Sequence, residues 1–178
     1  GIVETDANRF LKIDDDSVVR IHMIEFELRI FDPRQLHVVG WVRKNVLVPR
    51  VRKYEDLEYK NQYTDFVNGA QGHIVSRCVA SKIVSYDGFE YQGEDVSLGI
   101  WIDEIKLNVE WHHSPQSFSS QGNCHDKSKS MIGHQISPDK MIKCFPHYSY
   151  ETPQNTTKKM NYSIWFPDGC GSRQNYAL

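Results

Sequence analysis

Imidazoles, carboxylates and thiols are the groups with which a chain of this kind does chemistry, and many lie after residue 111: His112, His113, Cys124, His125, Asp126 and His134. His112, His113 and His125 with Asp126 supply two ligand types that transition metals accept. Their spacing fits no zinc motif, since the chain has neither a His-Glu-x-x-His run nor a Cys-x-x-Cys pair. Solvated loop histidines beside a disulfide-bonded Cys124 are the simpler reading, so the metal assignment stays open. Cys124-His125-Asp126 contains the letters of a nucleophilic triad, but adjacent residues rarely reach the geometry in which a base takes the nucleophile's proton. Ser117, Ser119 and Ser120 lie outside any Gly-x-Ser-x-Gly elbow.

Paired carboxylates could serve glycoside hydrolysis if two of them faced each other across a groove. Glu25 with Glu27, and Asp103 with Glu104, are the candidate pairs, and solvent-facing acids are the ordinary reading of both. Gly88, Gly93 and Gly99 are too dispersed for a phosphate-cradling loop, so nucleotide chemistry is not expected and no cofactor is implied. The basic series Arg43, Lys44, Arg50, Arg52 and Lys53 is offset by Glu55, Asp56 and Glu58, and the net charge is -2. Nucleic acid is therefore not an expected partner.

Aromatic residues are the better clue to binding. Trp41, Trp101, Trp111 and Trp165 fall in strand-like contexts and read mainly as core, whereas Phe145-Pro146-His147-Tyr148-Ser149-Tyr150 joins aromatic planes to polar donors. The expected ligand-binding residues are Trp111, His112, Phe145, His147, Tyr148 and Tyr150.

The elements that must position these residues read as strands. Ile105, Leu107, Val109 and Trp111 alternate with polar residues, and Leu98, Ile100 and Ile102 alternate before them, with a change of phase at Asp103 and Glu104. Val18 to Phe31 has the same character, with a slip at Met23 and Ile24. Such slips suggest bulged strands that turn a corner between sheets. Leu36–Val48, Ile74–Tyr86, a return strand from Phe89 to Tyr91, Met141–Phe145 and Met160–Phe166 complete the expected strands. Asp14-Asp15-Asp16 reads as a turn between the first apolar group and the second, and Arg50 to Ala70 is the one expected helix, with Tyr59 and Tyr63 placed to meet.

These patterns predict a mainly β fold, an antiparallel β-sandwich or jelly-roll-like domain with one short surface helix and long loops. The 178 residues are the size of a single domain, here 1–178 with an irregular loop near 112–140. Cys78, Cys124, Cys144 and Cys170 are candidate disulfide partners, and Asn155 and Asn161 head glycosylation sequons. With a start at Gly1, which fits a processed product or an excised domain, these features point to a secreted or extracellular setting. No run of about 18 apolar residues marks a transmembrane segment. The function that best fits is a non-enzymatic extracellular binding module recognising a glycan or protein ligand, with oligomer formation open. A compact glycan-active or metal-assisted hydrolase and a viral or assembly subunit are the alternatives.

Overall fold

The structure is a computed structural model. It describes residues 7–47, 55, 57, 59, 62–118 and 130–148, the last four as helix backbone. Its centre is a four-stranded mixed sheet of β1 (Arg9–Lys12), β6 (His73–Ser76), β3 (His37–Gly40) and β7 (Glu110–His113), in that spatial order. β6 runs antiparallel to both β1 and β3, while β3 and β7 are parallel. Two short ribbons flank it, β2 (Val18–Val19) with β8 (Ile132–Gly133) and β4 (Val42–Arg43) with β5 (Phe66–Val67).

Among the described residues four helices accompany these strands: α1 (Ile21–Glu27), α2 (Arg77–Val84), α3 (Glu94–Glu104) and α4 (Pro138–Tyr148). Both faces of the main sheet are covered. On one, Val38 and the half-buried Val75 and Trp111 pack with Val79 of α2 and Ile102 of α3. On the other, Val39 and Ile74 pack with Ile24 of α1, Leu28, Phe118 and Ile132. This double coverage explains why β3 is buried at all four positions, His-Val-Val-Gly, instead of alternating. Completely buried side chains such as Val38, Val79 and Phe118 each contribute about 1.5–3 kcal/mol of transfer free energy.

The expectation of a sheet-rich domain holds at this coarse level, but the elements are a sheet layered with short helices, and the described strands do not form two facing sheets. Four expected strands are helices in whole or in part, for identifiable reasons. The apolar residues of α3 serve two clusters, Val96 and Ile100 meeting Tyr63 and Phe66 while Ile102 meets Val38. A helix buried on more than one side loses its amphipathic period, and what remained in the sequence was a misleading alternation. The phase break at Asp103 and Glu104 is the end of that helix, after which Lys106 takes a positive φ of 53°. The slip at Met23 and Ile24 lies inside α1, where Ile24 and Leu28 are spaced i,i+4 and share the apolar cluster.

The expected strand Ile74–Tyr86 is strand only to Ser76, whose side chain caps α2 by accepting the Val79 N–H at 3.4 Å. Met141–Phe145 belongs to α4, which begins with Pro138 where a missing N–H costs nothing. The expected Arg50–Ala70 helix ends in a strand at Phe66–Val67, and most of its earlier residues lie outside the described ones. Tyr59 and Tyr63 do meet, with ring centroids 5.5 Å apart and planes inclined by 26°. Met160–Phe166 lies outside the described residues.

Candidate active site

The β2–β8 ribbon brings together three side chains that are distant in sequence. Asp14 and Asp16 occupy the turn between β1 and β2, and His134 follows β8 directly. Ribbon pairing of Val18 with Gly133 sets His134 against that turn, and the Ile136 N–H donates to the Asp16 carbonyl at 3.0 Å. His134 Nε2 lies 3.7 Å from Asp14 Oδ2 and 3.8 Å from Asp16 Oδ1. These separations are too long for hydrogen bonds. His134 is 6 % exposed, and neither of its ring nitrogens has a hydrogen-bond partner, nor does Asp16 Oδ1.

A buried imidazole without a partner is costly unless something else satisfies it. One ligand atom from each of the three residues falls within 4.8 Å of the others, a spacing that leaves room for a divalent ion with bonds of about 2.0–2.2 Å. Carboxylates favour magnesium or manganese and imidazole favours the later metals. A manganese-class ion accepts the mixture, so the residues fit such a group.

A chain of charges leads from this cluster to α3. Lys12 Nζ donates to Asp14 Oδ1 at 2.6 Å and also pairs with Glu94. Burial pulls the Lys12 ammonium down, but its bonds to Asp14 and Glu94 outweigh this and hold it above the ordinary lysine value. Burial works in the opposite direction on Glu94, where the Lys12 bond prevails and keeps the carboxyl below its usual range. Asp95 stands beside it in the first turn of α3, where the helix dipole favours negative charge. Asp95 Oδ2 accepts the Gly69 N–H at 2.8 Å. Burial nevertheless raises the Asp95 carboxyl above the ordinary value, the Gly69 bond opposes it, and the Glu94 charge adds to it. Opposite Lys12 in the β1–β6 register is His73, which burial and the Lys12 charge push down to about 4.

Hollow size does not mark this place. A cavity of about 840 Å³ lies between α1 and the segment after β7, lined in part by Met23, Phe26, His113 and Met131, and none of Asp14, Asp16, Asp95 or His134 borders it.

Of the ligand residues expected from sequence, Trp111 is half-buried against the Val38 cluster, and His112 faces the opposite side of β7, toward His37. His113 again faces away from His112, its Nδ1 accepting the Val42 N–H at 3.1 Å. Phe145, His147 and Tyr148 fall in α4, while Tyr150, His125, Asp126, Asn155, Asn161, Cys124 and Cys170 lie outside the described residues. Cys78 and Cys144 are both disulfide-bonded. Asp14, Asp16, Lys12, Asp95 and the role of His134 escaped the sequence reading. Their signal was two carboxylates spaced by one residue immediately after an apolar strand, which reads equally well as a turn.

A family model described as Fringe-like matches residues 2–163. The UDP-GalNAc:beta-1,3-N-acetylgalactosaminyltransferase 2 of Danio rerio is 34% identical over 111 residues, covering 59% of this chain and 22% of that protein. Its human counterpart is 33% identical over 106 residues, covering 57% and 21%, and that of Xenopus tropicalis is 34% identical over 106 residues, again 57% and 21%. The aligned region thus spans about one fifth of the length of these relatives. These matches overturn the expected non-enzymatic carbohydrate-binding module, because the family and the named relatives point to a glycosyltransferase. The extracytoplasmic expectation holds at the level of the secretory pathway, whose oxidising lumen suits the disulfide-bonded Cys78 and Cys144. Among the described residues no helix is long and apolar enough to cross a membrane.

Proposed function

The chain belongs to the Fringe-like family, and from that premise we propose that it forms the catalytic part of a glycosyltransferase that moves a sugar from a nucleoside diphosphate donor to a glycan hydroxyl. The observation that carries this reading is the Asp14, Asp16 and His134 cluster with its unpartnered buried imidazole. The donor in the relatives' name, UDP-GalNAc, makes a UDP-N-acetylhexosamine the donor of choice for assay. Asp14, Asp16 and His134 would hold a divalent cation, which would supply positive charge to the diphosphate.

Lys12 fixes the orientation of Asp14 on one side and of Glu94 on the other. Asp95 is the general base. Each of its oxygens accepts one main-chain N–H, Val96 on Oδ1 and Gly69 on Oδ2, which leaves further lone pairs for an acceptor hydroxyl. Its raised proton affinity suits that task. The acceptor oxygen bonds to the anomeric carbon as its proton passes to Asp95, and the bond from that carbon to the diphosphate oxygen breaks with the electron pair leaving on the diphosphate. Nucleotide recognition of this kind needs no glycine-rich loop, which is why the lack of one in the sequence misled.

The test is transfer from UDP-GalNAc to a panel of glycan acceptors with and without Mn²⁺. Transfer that requires the metal and falls by about 10²–10⁴-fold in Asp95→Asn, the usual contribution of a general base, is the expected result. Undiminished transfer by Asp95→Asn would remove it from the mechanism, and no transfer with any nucleotide sugar would overturn the enzymatic reading.

A further inference from the structure

A second cluster of metal-ligating groups lies on the main sheet and shares no residue with the first. In the parallel β3–β7 register His37 is opposite Glu110 and Val39 is opposite His112. Glu110 and His112 are two apart on one strand and therefore project to the same face, beside His37. His37 Nδ1 is 2.9 Å from His112 Nε2. Glu110 Oε2 is 3.6 Å from His37 Nδ1, and Glu110 Oε1 is 3.7 Å from His112 Nε2. Tetrahedral bonds of the length zinc makes to nitrogen and oxygen place neighbouring ligand atoms roughly 3.3 Å apart; the two ring nitrogens are slightly closer than this, each faces a different Glu110 oxygen at slightly more, and one ligand atom from each residue lies within 4.8 Å of the others.

We propose that His37, Glu110 and His112 form a second metal site that takes a zinc-class ion, with the fourth position open to solvent. Two imidazoles and one carboxylate are a donor set that zinc prefers and that magnesium or manganese does not. The surroundings grade from closed to open: the His37 side chain is 6 % exposed, that of His112 22 % and that of Glu110 61 %. Phe31 covers the rings, its centroid 5.5 Å from that of His37 and 4.3 Å from that of His112. Arg9 holds this cover by donating to the carbonyls of Leu28 and Phe31.

Without metal the two rings share one proton between Nδ1 and Nε2. Binding at both atoms moves that proton to the outer nitrogen of whichever ring carries it, with no change in net protonation. His37 Nε2 is buried and has no hydrogen-bond partner, so the proton that metal at Nδ1 would place there carries a desolvation cost that the metal bonds must exceed. Because β7 is the outer strand of the sheet among the described residues, an ion bridging it to β3 would pin that edge.

The experiment uses chelator-stripped protein carrying Asp16→Asn to silence the first site, loaded with Zn²⁺ and separately with Co²⁺. One equivalent of tightly held zinc and the intense visible bands of four-coordinate Co²⁺ are expected. Adding Glu110→Gln, an exposed position that leaves folding intact, should weaken zinc by at least about tenfold, the loss that even an outer-shell change can cause. His112→Gln should do the same, with circular dichroism reporting its fold. Failure of the Asp16→Asn protein to hold zinc, or zinc retained unchanged in Glu110→Gln, would overturn the proposal. Neither outcome bears on the transferase reading, which rests on other residues.

Discussion

Acid should unfold this protein in a way that can be traced to His73. The side chain lies in the middle of the sheet, 5 % exposed, paired across the strands with Lys12 on one side and Gly40 on the other. Its Nδ1 has no hydrogen-bond partner, so a protonated ring gains nothing there, and burial with the neighbouring ammonium lowers its value from 6.5 to about 4. Above pH 6.5 the ring is neutral in both folded and unfolded chains, and this contribution to stability is complete. As the pH falls the unfolded chain takes up the proton first, and the folded chain follows only near pH 4. A difference of about 2.5 units corresponds to about 3 kcal/mol, lost progressively between those two values. Urea unfolding of the wild type and of His73→Gln, measured from pH 7.5 to pH 4, isolates the effect because other titrating groups are common to both. The wild type should lose about 3 kcal/mol more than the variant over this range. Parallel stability curves would refute the reasoning, and so would a wild type that loses less.

Two further changes test the packing that positions the site. A Cβ at Gly99 would stand 2.5 Å from the Asp65 carbonyl and 2.7 Å from Phe66 Cβ, so α3 would have to move away from β5. Gly99→Ala should therefore destabilise by about 1–2 kcal/mol in urea unfolding despite a helix-propensity gain of about 1 kcal/mol, and equal or greater stability would contradict the close approach. Ser76 both caps α2 and accepts the His37 N–H at 3.2 Å. Ser76→Ala should cost about 1–2 kcal/mol in the same assay, with a loss below a few tenths arguing against the cap.

What could be read from the sequence was apolar content, some turns and a contact or two. Tyr59 and Tyr63 were correctly paired, and the opposite facing of His112 and His113 follows from simple strand alternation. What could not be read was which period governs a segment buried on several sides. Leu98, Ile100 and Ile102 alternate in sequence as a strand would, yet they sit on a helix whose neighbours are apolar in two directions. The site was hidden for a different reason. Asp14 and Asp16 have the composition of a turn and do occupy one, and only the pairing of Val18 with Gly133 brings His134, more than a hundred residues later, against them. A contact of that sequence separation leaves no local pattern.

The central claim is that Asp14, Asp16 and His134 hold a divalent ion for a diphosphate. Electron paramagnetic resonance of free Mn²⁺, titrated with the protein in the presence of UDP, measures this directly. The wild type should remove one equivalent of Mn²⁺ from the free signal, Asp16→Asn and His134→Ala should lose that capacity, and Glu110→Gln should keep it. Mn²⁺ binding that survives both Asp16→Asn and His134→Ala would contradict the account.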